Sequence, residues 1–189
     1  NDTNLIKEYK NLIKNINLEK LHYHLISRYF ECNILIDGIN NILEENVGNY
    51  LNQISHFALI NKKNEWLLAR SIKALLHFGF KKELLNHKKI NEIIQSSLSK
   101  RRNSNNSAAL YIVQLYYLNC SCTIKKSNYH PFYLSNEYLQ GNSKEKLAIE
   151  SATTFLFTKG ENQKIIKKNI QEFCKLNKIN WILNLLFKN

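Results

Sequence analysis

The sequence predicts an all-α chain, and three observations carry that prediction. Apolar residues recur at spacings of three and four along most of the length, the period of a helix with one buried stripe. Five Gly and a single Pro, Pro131, in 189 residues leave too few turn residues for a sandwich or barrel of short strands. The segment 64–79, NEWLLARSIKALLHFG, shows the helical period most clearly, with Trp66, Leu67, Ala69, Ile72, Ala74, Leu75, Leu76 and Phe78 forming a broad stripe. Asn64 is placed to cap its start, Glu65 to face the positive end of the dipole, and Gly79 to end it in a left-handed conformation.

The elements follow in order. A first helix reads from about 4 to 15, with Leu5, Ile6, Tyr9, Leu12, Ile13 and Ile16 on one face. Asn17 is read as the cap of a second helix, whose stripe Leu18, Leu21, Leu25, Tyr29 and Cys32 runs toward Leu35 and Ile36 until the turn signal Asp37-Gly38. Asn49 is read as the cap of the next helix, through Leu51, Ile54, Phe57 and Ile60. After Gly79 come a short amphipathic piece at Leu84-Leu85 and a helix with Ile90, Ile93, Ile94 and Leu98. The basic loop KRRNSNN at 100–106 leads into the apolar helix AALYIVQLYYL, and 119–131 has no helical period. Pro131 suits the first turn of a following helix. Helices near 143–160, 161–176 and 178–187 close the chain.

A shift of 40 residues overlays the seam Ala69, Ile72, Leu75, Leu76 on Ala109, Ile112, Leu115, Tyr116, then on Ile149, Ala152, Phe155, Leu156. Backward it reaches Tyr29, Cys32, Leu35, Ile36. Partner helices follow less cleanly, Ile90, Ile93, Ile94 mapping onto Ile170, Phe173, Cys174. Two helices per unit of about 40 residues resembles the HEAT and armadillo arrays. That resemblance covers roughly 18–187, in about four units of one single all-α domain spanning 1–189, and is architectural, since the Pro, Asp and Arg positions typical of HEAT units are not matched. It implies antiparallel helix pairs stacked as a short right-handed solenoid; helices of equal length falling into register by chance give an irregular bundle instead.

The formal net charge is +12. It directs the chain toward acidic proteins, nucleic acid or anionic lipid surfaces. Lys greatly outnumbers Arg, as an AT-rich genome produces without selection, whereas phosphate readers favour the planar fork of Arg. Four Cys do not make a disulfide scaffold, so Cys32 and Cys174 read as buried thiols in a reducing, intracellular and cytoplasmic setting. No run of eighteen apolar residues predicts a membrane span. With no Met anywhere, the chain reads as a processed product or an internal fragment, with room for a lost targeting segment.

Site chemistry is sparse. Cys120, Cys122 and His130 are the most metal-like group but lack a fourth ligand, so no metal site is assigned. His22 and His24 point to different sides of a helix and lack the i,i+4 spacing of a helical zinc pair. No nucleophile elbow, phosphate loop or dinucleotide fingerprint occurs, and Asp2 and Asp37 are the only aspartates. No catalytic or cofactor-binding residue is assigned, and no cofactor; a non-enzyme is favoured. The candidate interaction surface is basic: Lys81, Lys82, Lys88, Lys89, Lys100, Arg101, Arg102, Lys125 and Lys126, with further pairs at Lys62-Lys63 and Lys167-Lys168. Tyr111, Tyr116, Tyr117, Tyr129, Tyr133 and Tyr138 could add stacking surface or fill the core. The expected function is a helical-repeat module that binds a protein partner, an acidic surface favoured, through a basic or aromatic face. The alternative is an RNA- or DNA-binding helical protein that contacts the phosphate backbone through its Lys and Arg clusters.

Overall fold

The computed structural model describes residues 3–61, 64–100, 108–120 and 143–188, and every regular element among them is helical. In chain order these are α1 (Thr3–Ile13), a 3-10 turn (Leu18–Lys20), α2 (Tyr23–Ile39), α3 (Leu43–Ile60), α4 (Glu65–His77), α5 (Lys81–Asn86), α6 (Lys88–Lys100), α7 (Ala108–Cys120), α8 (Ser143–Phe157), α9 (Glu161–Leu176) and α10 (Asn180–Phe187). None of them is long and apolar enough to cross a membrane.

α4 is the hub. It packs on α2, α7 and α10, and touches α3 and α5. Leu67, Leu68, Ala69, Ile72, Ala74, Leu75 and Leu76 are all buried, within one continuous core that draws on every helix from α2 to α10. Each large aliphatic side chain so buried contributes about 1.5–3 kcal/mol relative to exposure.

Helix stops obey local chemistry. Gly79 has φ +92° and closes α4, its N–H bonding the Leu76 carbonyl while Phe80 N–H bonds that of Leu75. The same double bond ends α2 at Asn41 and α9 at Lys178, the latter a non-Gly residue held at φ 57°.

Helix starts differ from the sequence expectation in three places, because asparagines found better partners. Asn17 caps only the 3-10 turn, through Glu19 N–H at 3.0 Å, and His22 caps α2. α3 begins six residues before Asn49, which lies inside it and accepts from Gln53. Asn64 leaves its own helix uncapped, donating to the Ala58 carbonyl at 2.8 Å and accepting from Ser97 at 3.2 Å. α2 also runs straight through Asp37-Gly38 and turns at Asn40-Asn41. Gly38 is there for packing: a Cβ would collide with the Phe78 ring.

α2, α4, α7 and α8 neighbour one another in chain order, and α3 packs on α6. Two features depart from a strict forty-residue register. In α2 the buried residues are Ile26, Ser27, Phe30, Asn33, Ile34 and Asp37, while Tyr29, Cys32, Leu35 and Ile36 are half-buried. α10 also returns to α4, with Asn184 Nδ2 donating to the Leu76 and His77 carbonyls at 2.5 and 3.1 Å.

α1 stands apart. Ile6, Tyr9 and Ile13 are half-buried, whereas Leu5, Leu12 and Ile16 of its expected apolar face are exposed. A polar clasp holds it. Lys10 Nζ lies 3.0 Å from Asp37 Oδ1, Asn33 donates to the Tyr9 hydroxyl at 3.5 Å, and Tyr9 hydrogen-bonds Cys32. Asp37 Oδ2 also accepts from Tyr50 at 2.7 Å and Asn46 at 3.3 Å. Burial pushes the Tyr9 hydroxyl up to about 12, with neighbouring Cys32 and Tyr29 adding to the shift. Tyr50 is raised by burial and then by Asp37, as is Tyr29. Native protons are thus retained where the unfolded chain releases them, near pH 10. Stability is whole below about pH 10 and falls as pH climbs toward 12. Alkaline unfolding in that window should be less steep in Tyr9→Phe. A spectrophotometric titration in which all tyrosines ionise together near pH 10 would contradict this.

Candidate functional site

The polar face of α4 is the first place to look for a site, and the fold has covered it. Lys73 pairs with Glu145 of α8, and the same carboxylate accepts from Trp181 Nε1 at 3.0 Å. Arg70 donates to Ser27 Oγ at 2.7 Å and lies 3.7 Å from Glu31. These groups join helices.

The basic candidates divide. Lys81 and Lys82 open α5, and Lys88 and Lys89 open α6, roughly 9 Å of helix axis further on. Lys88 reaches Glu92 at 3.9 Å, a surface contact of small worth. Between them His87 serves the fold: Nδ1 accepts from Ile90 N–H at 3.3 Å, which leaves the proton on Nε2, 3.3 Å from Asn52 Oδ1. Burial lowers its basicity. Lys100 is the last residue of α6, while Arg101, Arg102, Lys125 and Lys126 lie outside the described residues. So do Lys62, Lys63, Tyr129, Tyr133 and Tyr138.

Around the end of α10 the structure joins what the sequence keeps far apart. Lys81 Nζ donates to the Lys188 carbonyl at 3.0 Å. Lys188 Nζ lies beside Gly79, at 2.8 Å from where a Cβ would stand. Lys167 of α9 sits over the Phe187 ring, 5.4 Å from its centre, and Phe187 meets Phe155 edge to face at 5.3 Å. Lys81, Lys82, Lys167 and Lys188 form ion pairs with none of the described carboxylates. The result is a corner of ammonium groups that pair with no carboxylate among the described residues, one of them, Lys167, lying over an aromatic ring. Next to it a cleft of about 200 Å³ opens between Gly38, Asn41, Leu43, Glu44, Phe78 and Phe80.

Phe187 and Lys188 were invisible as site residues, because their partners lie in α9 and more than a hundred positions upstream in α5. Only the Lys81-Lys82 and Lys167-Lys168 pairs gave a signal. The tyrosines separate too: Tyr116 is fully buried, with its hydroxyl 3.3 Å from Asn91 Oδ1, and Tyr117 is half-buried.

The corner offers charge and apolar area, with no nucleophile and base in contact. Among the described residues no three His, Cys, Asp or Glu side chains gather to hold a metal. Cys122 and His130 lie outside the described residues, and Cys120 ends α7. Cys174 is buried, which pushes its thiol up to about 11, and Cys32 is half-buried. No protein-family model, no curated protein and no solved structure matches the chain.

Proposed function

We propose that the chain is a non-enzymatic helical-repeat interaction module that binds an acidic surface of a partner protein through the corner at the end of α10. Lys81 and Lys188 at the end of α10, Lys82 beside Lys81 in the chain, and Lys167 over the Phe187 ring carry this reading. Unpaired ammonium groups repel one another and attract carboxylates at long range, which raises encounter rates and fixes orientation. The adjoining phenyl groups supply the apolar contact that charge alone lacks. Hub packing around α4 keeps the corner rigid, so binding costs little ordering entropy. The free thiols of Cys32 and Cys174 fit a reducing, intracellular setting.

A fluorescent oligoglutamate peptide is the simplest probe, followed by anisotropy at low salt. Lys81→Glu/Lys82→Glu should weaken its binding roughly fivefold more than Lys14→Glu/Lys20→Glu, which changes net charge equally at exposed sites elsewhere. Equal losses in the two variants would show that only bulk charge matters, and the corner would lose its role.

A further inference from the structure

A second surface, distant in composition from the lysine corner, lies where α2 and α4 begin. We infer that it is a stacking platform for the bases of a single-stranded nucleic acid. The inference goes beyond the protein-partner reading and does not depend on it.

His22, Tyr23 and His24 are consecutive, and the backbone fans them. His22 is the extended cap residue of α2 (φ −63°, ψ 142°), and the helix turns the next two rings away in sequence. Successive ring centres stand 4.2 Å apart, tilted by 40° and 39°. Trp66, the second residue of α4, continues the series with its ring 6.4 Å from His24. Arg70, one turn further along α4, lays its guanidinium 5.0 Å from the Trp66 ring centre. Arg28, with 62% of its side chain exposed, shares the Glu31 carboxylate with Arg70.

Core packing accounts for one side of Trp66 and not for the histidines. His22 and His24 are exposed, and Tyr23 and Trp66 are only half-buried, although most of α4 is buried. Trp66 belongs to the apolar stripe by spacing, and the fold packs it against the edge of the core with part of its ring still exposed. Each ring offers a π-face, which any base can stack on without sequence preference. The guanidiniums supply the cationic element. Glu31 stands 2.8 Å from Arg28 and 3.7 Å from Arg70, so one positive charge is left over for a phosphate. Arg28 commits one Nη to Glu31 and keeps the rest of its five-donor fork. A fan of tilted rings with an exposed Arg suits an unpaired base and its phosphate, whereas duplex bases are stacked on each other and out of reach.

The test uses the full chain and the two tryptophans. Trp181 is buried, so quenching by an oligothymidylate single strand reports on Trp66. The expected result is quenching by the single strand and little by the same strand annealed to oligoadenylate. His22→Ala/Tyr23→Ala should weaken binding roughly tenfold, and Tyr23→Phe, which keeps the ring, should not. Should the double variant unfold, Arg28→Ala at its exposed position should still lower the affinity severalfold. Lys81→Glu/Lys82→Glu should leave the quench amplitude unchanged, which separates this surface from the lysine corner. Equal affinity for single strand and duplex, no quenching, or unchanged binding in the ring and Arg28 variants would overturn the inference. Capture of a protein segment by these rings in place of the strand would do so as well.

Discussion

Leu75→Ala is expected to cost about 3–4 kcal/mol of unfolding free energy, a large share of a stability that for a domain of this kind is about 5–15 kcal/mol. Leu75 is fully buried in the helix that α2, α7 and α10 all share. Removing its isobutyl end opens a void that three neighbours would have to close together. Rigid helices on several sides make that collapse incomplete, so the cavity adds to the lost transfer energy. Leu12→Ala on α1 is the matched control, since Leu12 is 77% exposed and should shift stability by less than about 0.5 kcal/mol. Urea denaturation followed by circular dichroism compares the two. A loss under about 1 kcal/mol for Leu75→Ala would mean that α4 is not the hub of the core.

Asp37→Ala should have the second-largest effect, about 2 kcal/mol. Its carboxylate is only 8% exposed and gathers Lys10 from α1 and Asn46 and Tyr50 from α3. Alanine would leave three half-buried polar groups to find water. Lys10 is partly solvated already, which keeps the cost below that of a fully buried pair. The effect should concentrate on α1, whose apolar contacts are few. Hydrogen exchange should show amides of 3–13 losing protection while those of α4 keep theirs. Asp37→Asn retains one acceptor oxygen and should cost less. Unchanged protection in α1 would show that its attachment is apolar after all.

Ala69, Ile72, Leu75 and Leu76 show what a sequence exposes plainly. Their spacing marks one stripe, and all four are buried. Gly79 was equally legible, because a left-handed residue after a helix is a local need and Gly meets it at least cost. Asn17, Asn49 and Asn64 misled, since each can bond many partners and only the folded neighbours decide which. Asp37-Gly38 imitates a turn for the same reason. The glycine is required by the Phe78 ring, forty residues on, and not by the backbone. The candidate corner was half legible: lysine pairs stand out in a sequence, but nothing local says that Lys81 reaches Lys188 or that Lys167 lies over Phe187.

The sequence by itself determined the all-α class, the apolar stripes and the basic charge, because these rest on interactions within a few residues or on composition. Tertiary packing decided which stripe residues became core, burying Leu75, leaving Trp66 half-buried at its edge and Leu12 in the open. It also turned Arg70 and Lys73 inward, each against a glutamate on another helix. The physical reason is range: helical period is set one turn at a time, whereas burial and charge pairing depend on contacts between positions up to a hundred residues apart.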